Sequence, residues 1–362
     1  MSIRRIGVLT SGGDAPGMNA AISAVARIAN ARGIEVVGIK RGYNGVLNEN
    51  LAQDVEVLSL ETILDIANQG GTYLRTARCE AFKQHEVRVK AAENIKTLGI
   101  DALVVIGGDG SFHGAMYLSE LGIPCVCIPG TIDNDIAYTE ETLGYDTAVN
   151  TCVQAVRQVR DTSRSHDRVG VVEVMGRHCG DIGLKTAMAT GAEMLIVPEV
   201  EWSIEEVAAR LTKLYAGGNT RVTLVISEHS WEKGNLKPYD WKKVLKDNGK
   251  KVHDDDEMSA GYLATVLELM CKKQPGCEGM EVRATVVAYP QRGGAPTAQD
   301  ATFAFKAAQR AVELLCDGKT NLAIGIRDGR IFDMPLCEVL DIQKKKTNAS
   351  FDKATYDLIN SL

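Results

Sequence analysis

Short runs of continuously apolar residues, most closed by a polar or glycine-rich turn and separated by stretches of helical period, recur along this chain. Residues 6–10 form the first run, and Ser11-Gly12-Gly13-Asp14 follows it. Ala20, Ala21, Ile22, Val25, Ile28 and Ala29 then repeat at helical spacing until Gly33. Further strand-like runs fall at 35–39, 102–106, 125–128, 169–174, 194–197, 222–226, 283–288 and 322–326. Helical patterns at 91–98, 147–160, 204–216, 258–270 and 301–316 separate most of them. A strand that is apolar at every position is buried on both faces, which calls for a mostly parallel sheet between two helical layers. Ligands of such sheets lie beyond the carboxyl ends of the strands, where the glycine turns stand.

The chain has 362 residues, which at ~150 residues per domain suggests two such α/β domains. Its 35 glycines are a high proportion, and aromatic residues are only 5%. That balance favours tight turns and close backbone approach over aromatic packing. The 41 basic and 47 acidic residues leave a net charge of −6, which argues against nucleic acid as the main partner. It does not argue against small phosphorylated ligands, which feel only their pocket. No apolar run approaches the ~18 residues of a membrane helix, so no membrane partner is expected. Met-Ser-Ile-Arg-Arg leads directly into a strand-like run, with no sign of a secretory leader. Nine scattered cysteines form no C-x-x-C pair, which fits buried thiols in a reduced cytoplasm better than a metal or disulfide role. The stretch 231–279 breaks the pattern with Trp231, Trp241, a lysine cluster and the acidic run 253–257. It reads as a surface excursion from one domain rather than as a separate module.

Three strings carry chemistry. Gly107-Gly108-Asp109-Gly110-Ser111 follows a buried strand and opens a helix. Glycines let backbone N–H groups approach phosphate oxygens, and the helix N-terminus favours the anion. Asp109 can hold Mg²⁺ there, since Mg²⁺ on nucleotides takes a carboxylate and keeps waters. Ser11-Gly12-Gly13-Asp14-Ala15-Pro16-Gly17-Met18-Asn19 is the same device at the first strand, and two such turns favour a polyphosphate ligand. Pro129-Gly130-Thr131-Ile132-Asp133-Asn134-Asp135 places two carboxylates two residues apart after a strand. One can take a hydroxyl proton while the other supports a metal, as phosphoryl transfer needs, although an Asx-rich turn has the same composition.

Arg160, Arg164, Arg168 and Arg177 crowd the middle of the chain, and Arg283 and Gln291-Arg292-Gly293-Gly294 follow later. The guanidinium fork grips phosphate bidentately, so arginines beside strand ends read as a sugar-phosphate grip, or singly as surface charge. No Walker A loop exists: Leu184 separates Gly183 from Lys185 in the nearest string. His113 breaks the G-x-G-x-x-G pattern that begins at Gly108.

Taken together, residues 7–21, 104–111, 129–135, 172–177 and 291–294 resemble, in order, the motifs of the bacterial-type ATP-dependent 6-phosphofructokinase family. The match runs from Ile6 to about Arg292 and more loosely to the end. The resemblance implies two Rossmann-like three-layer domains with the active site in the cleft between them. It implies an ATP domain of 1–143 plus about 296–344, and a fructose 6-phosphate domain of about 144–295 plus 345–362 that carries the surface insertion within 231–279. Gly13, Tyr43, Arg78, Cys79, Gly108, Gly110 and Ser111 match ATP contacts, and Asp109 matches the Mg²⁺ carboxylate. Asp133 matches the base for the sugar 1-hydroxyl. Thr131, Asp135 and Arg177 match positions around the transferred phosphoryl group, where Arg177 and Arg78 offset developing charge. Ile132, Met175, Gly176, Glu228 and Gln291 match positions of the sugar site. Arg168, Arg283 and Arg292 match the grip on the 6-phosphate. In the family Arg168 and Arg283 reach in from a neighbouring subunit, which implies a homo-oligomer, tetramer or dimer, in the cytoplasm.

Pyrophosphate-using relatives carry Asp at the position of Gly110 and Lys at that of Gly130, so two glycines here favour ATP. A pyrophosphate-dependent or mixed-donor enzyme is the rival of the same chemistry. A non-catalytic sugar-phosphate-binding subunit is the rival of another class, opposed by the presence of both Asp109 and Asp133. Two departures stand out. Tyr289, followed by Pro290, replaces the family's sugar-site histidine, which predicts a retuned contact. In the effector region Ser23 replaces one arginine, Arg27 and Arg160 remain, and 217–220 carries no basic residue. Weak or absent control by ADP and phosphoenolpyruvate is the expectation.

Overall fold

The computed structural model describes residues 3–232, 234–345 and 351–361. The chain divides into two compact units, Met1–Ala148 with Arg292–Thr347, and Val149–Gln291 with Asn348–Leu362. In chain order the elements are β1 (Arg5–Ser11), α1 (Met18–Asn30), β2 (Glu35–Ile39), β3 (Val55–Val57), α2 (Leu60–Ile66), α3 (His85–Thr97), β4 (Ala102–Gly107), α4 (Asp109–Glu120), β5 (Cys125–Pro129) and α5 (Tyr145–His166). There follow β6 (Val169–Val174), α6 (Asp181–Thr190), β7 (Met194–Ile196), α7 (Ile204–Ala216), β8 (Thr223–Ser227), α8 (Trp241–Asp247), α9 (Ala260–Cys271) and β9 (Val282–Val286). The last are α10 (Ala298–Cys316), β10 (Leu322–Arg327), β11 (Arg330–Pro335), α11 (Leu336–Lys345) and α12 (Lys353–Ile359).

The first unit holds a seven-stranded sheet in the order β11-β10-β5-β4-β1-β2-β3. Its five central strands are parallel, and β3 and β11 pair antiparallel at the two edges. The sequence pattern missed both edge strands. Only three residues make β3, and β11 (RIFDMP) is half-exposed, so neither presents a buried apolar run. Every residue of β4 and β5 is buried, as the continuous apolar runs require. Leu9, Val37, Leu103, Val105, Cys125 and Cys127 face a core completed by α3, α4 and α11. The opposite face is covered by α1 and α10, which pack against each other. Asp300, at the start of α10, is buried and accepts hydrogen bonds from the Gly144 and Thr147 amides (2.8 Å each) and the Thr147 hydroxyl (2.6 Å). Burial raises its carboxyl above the usual range against the pull of these donors, and the three bonds tie α10 to the start of α5.

The second unit holds a parallel four-stranded sheet, β7-β8-β6-β9. Val169, Val171, Leu224, Ile226 and Val282 face α7 and α9 in one core. Trp241 and Leu245 of α8, with Leu263, Val266 and Leu267 of α9, belong to that same core. The stretch 231–279, expected as a surface excursion, thus supplies part of a covering layer. The C-terminal helix reaches the β7 edge of this sheet. Asn360 mimics a neighbouring strand there, accepting from the Leu195 amide (3.1 Å) and donating to the Leu195 carbonyl (3.0 Å).

Side chains cap α2, α7, α8, α9, α10 and α12: Ser59, Ser203, Asp240, Ser259, Thr297 and Asp352 each accept a first-turn amide. In contrast, α1, α4 and α6 begin at Gly17, Gly108 and Gly180, with no side-chain cap. Among the described residues, no helix is long and apolar enough to cross a membrane.

Candidate active site

In the first sheet β1 and β4 lie side by side, with Ser11 opposite Gly107. From β1 the chain goes on to β2 on one side, and from β4 to β5 on the other. Their exit loops therefore flank a topological switch point, the usual ligand position in such sheets. Both glycine turns stand there. The two backbones come so close that a Cβ on Gly107 would collide with the Ser11 carbonyl and the Ser111 hydroxyl. Ser111 Oγ donates to the Ser11 carbonyl at 3.0 Å, and Thr76 Oγ1 donates to the Gly12 carbonyl at 2.8 Å. Gly12 adopts φ 96°, open to glycine at little cost. Arg292 donates to the Asp14 carbonyl at 3.1 Å and lies against Gly13.

Gly108 and Gly110 have nothing within 4 Å of where a Cβ would stand. Asp109, between them in the first turn of α4, is half-exposed, with His113 Nε2 at 3.9 Å. The ring of Tyr43 is buried and stacked 4.3 Å from Phe82, and its hydroxyl donates to the Ser111 carbonyl at 2.5 Å. Tyr43 thus holds the first turn of α4 from behind. Arg78 is exposed beside this turn region in sequence, and Cys79 is half-buried with its thiol pushed up by burial.

The loop after β5 is laced at both ends. The Gly130 amide donates to Gly107, and the amides of Thr131 and Leu143 exchange bonds with Leu143 and Pro129. Thr142 Oγ1 donates to the Thr131 carbonyl at 2.7 Å. Inside it, the Asp133 amide donates to Thr131 Oγ1 at 3.2 Å, and Asp133 is 7% exposed. Asn134 follows in a left-handed conformation, φ 52°. Ile132 is completely buried. Gln343 of α11 clasps the far side, donating to the Asp135 carbonyl and accepting from the Ala137 amide, 2.8 Å each. A Cβ on Gly130 would press on Ile106 and Met18 at 3.1 Å, so a long side chain has no ready place there. Asp109 and Asp133 therefore leave the carboxyl ends of the paired strands β4 and β5.

The second unit gathers its own group beyond β6, β8 and β9, which are neighbours in the sheet. Glu228, after β8, accepts from the Gly176 amide (3.2 Å) and the Arg177 amide (2.8 Å), after β6. Gly176 has φ 153° and Arg177 φ 55°, so the turn is a strained one held by a carboxylate. Gln291, fully buried, accepts from the Met175 amide at 2.8 Å. The Arg177 side chain is exposed. Arg168 and Arg283 stand apart from this group and share Glu281, at 2.6 and 3.0 Å. Arg283 also bonds Glu268. No motif in the sequence marked Glu281 or Glu268, because their partners come from other elements. Tyr289 and Pro290 are exposed past the edge strand β9, Tyr289 by 79%.

Comparison with known proteins identifies the family. Residues 5–315 match the family model described as phosphofructokinase. The chain is similar to the ATP-dependent 6-phosphofructokinase 1 of Clostridium perfringens, 44% identical over 360 residues and 99% of each chain. It is 46% identical, at the same coverage, to the ATP-dependent 6-phosphofructokinase of Clostridioides difficile. Among solved structures, phosphofructokinase from Saccharomyces cerevisiae superposes with a TM-score of 0.77 at 29% identity, covering 99% of this chain and 48% of the yeast chain. The pyrophosphate-dependent phosphofructokinase of Marinobacter aquaeolei shares the fold, with a TM-score of 0.74 at 21% identity, 93% of this chain and 84% of that one.

The contrast between Gly107 and Gly108 is testable. Gly107→Ala is expected to cost about 2 kcal/mol or more through overpacking against two loops. Gly108→Ala, which points into open space, is expected to stay within about 1 kcal/mol. Denaturant unfolding of the two variants measures the difference.

Proposed function

This chain belongs to the phosphofructokinase family, and on that premise we propose how its two groups of residues divide the reaction. It phosphorylates fructose 6-phosphate at the 1-hydroxyl with ATP, giving fructose 1,6-bisphosphate and ADP, a glycolytic kinase reaction. The observation that carries this reading is the pairing of Asp133, buried after β5, with Asp109 between two open glycines after the adjacent β4. The near-full-length similarity to ATP-dependent relatives supports it from the other side.

In our proposal Asp133 takes the proton of the 1-hydroxyl as that oxygen attacks the γ-phosphorus and ADP departs. Thr131 and Asp135 flank the transferred group, and Arg177 and Arg78 offset its charge. ATP would lie on the turns at Gly13 and Gly108 to Ser111, near Cys79, with its phosphates on the uncapped start of α4. Tyr43 acts there by positioning Ser111. Asp109 suits Mg²⁺: it is a half-exposed oxygen donor with open space on both sides, so bound waters have room. Mg²⁺ held there supplies charge neutralisation on the phosphate oxygens. Ile132, Met175, Gly176, Glu228, Tyr289, Pro290 and Gln291 form the sugar side, and Arg292 with Arg168 and Arg283 grips the 6-phosphate. The last two come from a neighbouring copy in a homo-oligomer, tetramer or dimer, in the cytoplasm. Exposure of Tyr289 and of Val286 on the edge strand β9 supports a covered face there.

Asp133→Ser should lower kcat by orders of magnitude with little change in the KM for fructose 6-phosphate. Steady-state kinetics checks it, and near-normal turnover would overturn the base assignment.

Packing adds to the donor argument. Lysine at 130 would meet Ile106 and Met18, while the open side of Gly110 leaves room for the nucleotide phosphates. Product formation is expected with ATP and not with pyrophosphate, and Gly110→Asp should weaken ATP use sharply. Parallel assays with each donor decide both points.

Regulation by ADP or phosphoenolpyruvate is proposed to be weak. Ser23 is buried and donates to the Ile63 carbonyl, and Arg160 is engaged by the Thr190 and Gly191 carbonyls and by Glu193. Few free cations are left for an anionic effector. The fructose 6-phosphate saturation curve should hold its position when either compound is added.

A further inference from the structure

A second cluster of potential ligands lies in the unit that carries Glu228, and phosphoryl transfer makes no use of it. His178 follows Arg177 after β6, and His229 follows Glu228 after β8. Val174 and Ser227 face each other in the last rung of the β6–β8 ladder, so the two loops emerge as neighbours. The Glu228 carboxylate then staples the loops together through the Gly176 and Arg177 amides. The imidazoles of His178 and His229 end up 4.6 Å apart between ring centroids. Glu232, one turn past His229, reaches back to both. Its Oε1 lies 2.6 Å from His229 Nδ1, and its Oε2 lies 3.6 Å from His178 Nδ1.

The turn that carries His229 and Glu232 is itself fixed. His229 has φ 61°, a left-handed conformation that a bulky residue adopts at a cost. The Glu232 amide donates to the His229 carbonyl at 3.2 Å, and the Trp202 indole donates to the carbonyl of buried Ser230 at 2.9 Å. One donor atom from each of the three side chains lies within 4.8 Å of the others. A tetrahedral ion with ligands at ~2.1 Å needs donors roughly 3.4 Å apart, within reach of small rotations of exposed side chains.

We propose that His178, His229 and Glu232 form a binding site for a late first-row divalent transition ion of the zinc, cobalt and nickel class. Two imidazoles and one carboxylate are the donor set that such ions take with a position left for water. Mg²⁺ is disfavoured, because it demands oxygen ligands in octahedral array. His178 and Glu232 are exposed and His229 half-buried, so an ion enters from solvent without opening the fold. Binding exchanges the hydrogen bond between His229 Nδ1 and Glu232 Oε1 for a bond from each atom to the metal, with the imidazole proton carried on Nε2. All three residues belong to the second unit and Asp109 to the first.

Cobalt is the probe. The full-length protein, kept free of nucleotide, is titrated with Co²⁺ under anaerobic reducing conditions and followed by the visible d–d absorption. Wild type should bind one ion saturably with the spectrum of a four- or five-coordinate nitrogen and oxygen site. Excess Zn²⁺ should bleach it, and an equal excess of Mg²⁺ should not. His178→Gln and Glu232→Gln should each weaken binding by about tenfold or more, with circular dichroism and Mg-ATP-dependent turnover kept near wild type. Equal affinity in both variants would overturn the proposal, as would a wild-type titration without saturation. An intense near-ultraviolet band from thiolate to cobalt, lost in Cys179→Ser, would assign the ion to a cysteine and overturn it as well.

Discussion

Everything at the candidate site of the first unit depends on one close approach, that of the backbones leaving β1 and β4. Parallel pairing brings Ser11 opposite Gly107, and no side chain fits between them. The Ser111 hydroxyl and the Tyr43 hydroxyl then fix the start of α4 from the two sides. The Gly130 amide donates to the Gly107 carbonyl at 3.0 Å and brings the third loop to the same place. Three exit loops converge because one strand residue has no Cβ. Asp109 and Asp133, the acidic groups two of them carry, are placed at neighbouring strand ends by the pairing of β4 and β5.

The second unit solves a similar problem with charge. Glu228 is a carboxylate that accepts two amides from a turn with two positive φ values in succession. Such a turn costs free energy, and a charge-assisted acceptor is the kind of partner that holds it. Gln291 does the same for Met175 from the other neighbouring strand. The backbone there is held from both sides before any ligand arrives, so the ordering entropy is already spent in folding.

Most of the fold was legible because a strand buried on both faces has no polar alternation to disguise it. The runs at 35–39 and 169–174 coincide with β2 and β6 residue for residue. Failure came where burial was one-sided or partial. The edge strand β11 reads as a polar loop, and the core residues of α8 are diluted by the lysine and acidic runs around them. At the candidate site, the glycine turns marked the strand ends because phosphate-sized space demands absent side chains. What the side chains touch was not legible. Tyr43 shows its buried position only through Phe82, 39 residues later, and Glu281 acquires its meaning from Arg168, over a hundred residues earlier. Such partners are set by the fold and leave no local pattern.

The uneven capping of the helices has a consequence for how the protein lasts. Among the described residues six helices carry their own acceptor at the N-terminus, whereas α1, α4 and α6 start on glycine. On the function proposed above, phosphates at the start of α4 supply what that helix lacks, and any ligand that prefers the folded state adds stability with the logarithm of its concentration. Local opening of that end, the step on which proteases act, is then governed by nucleotide supply. On that reading the lifetime of the molecule is coupled to the energy charge of its surroundings through Gly108, a residue whose missing side chain leaves open space.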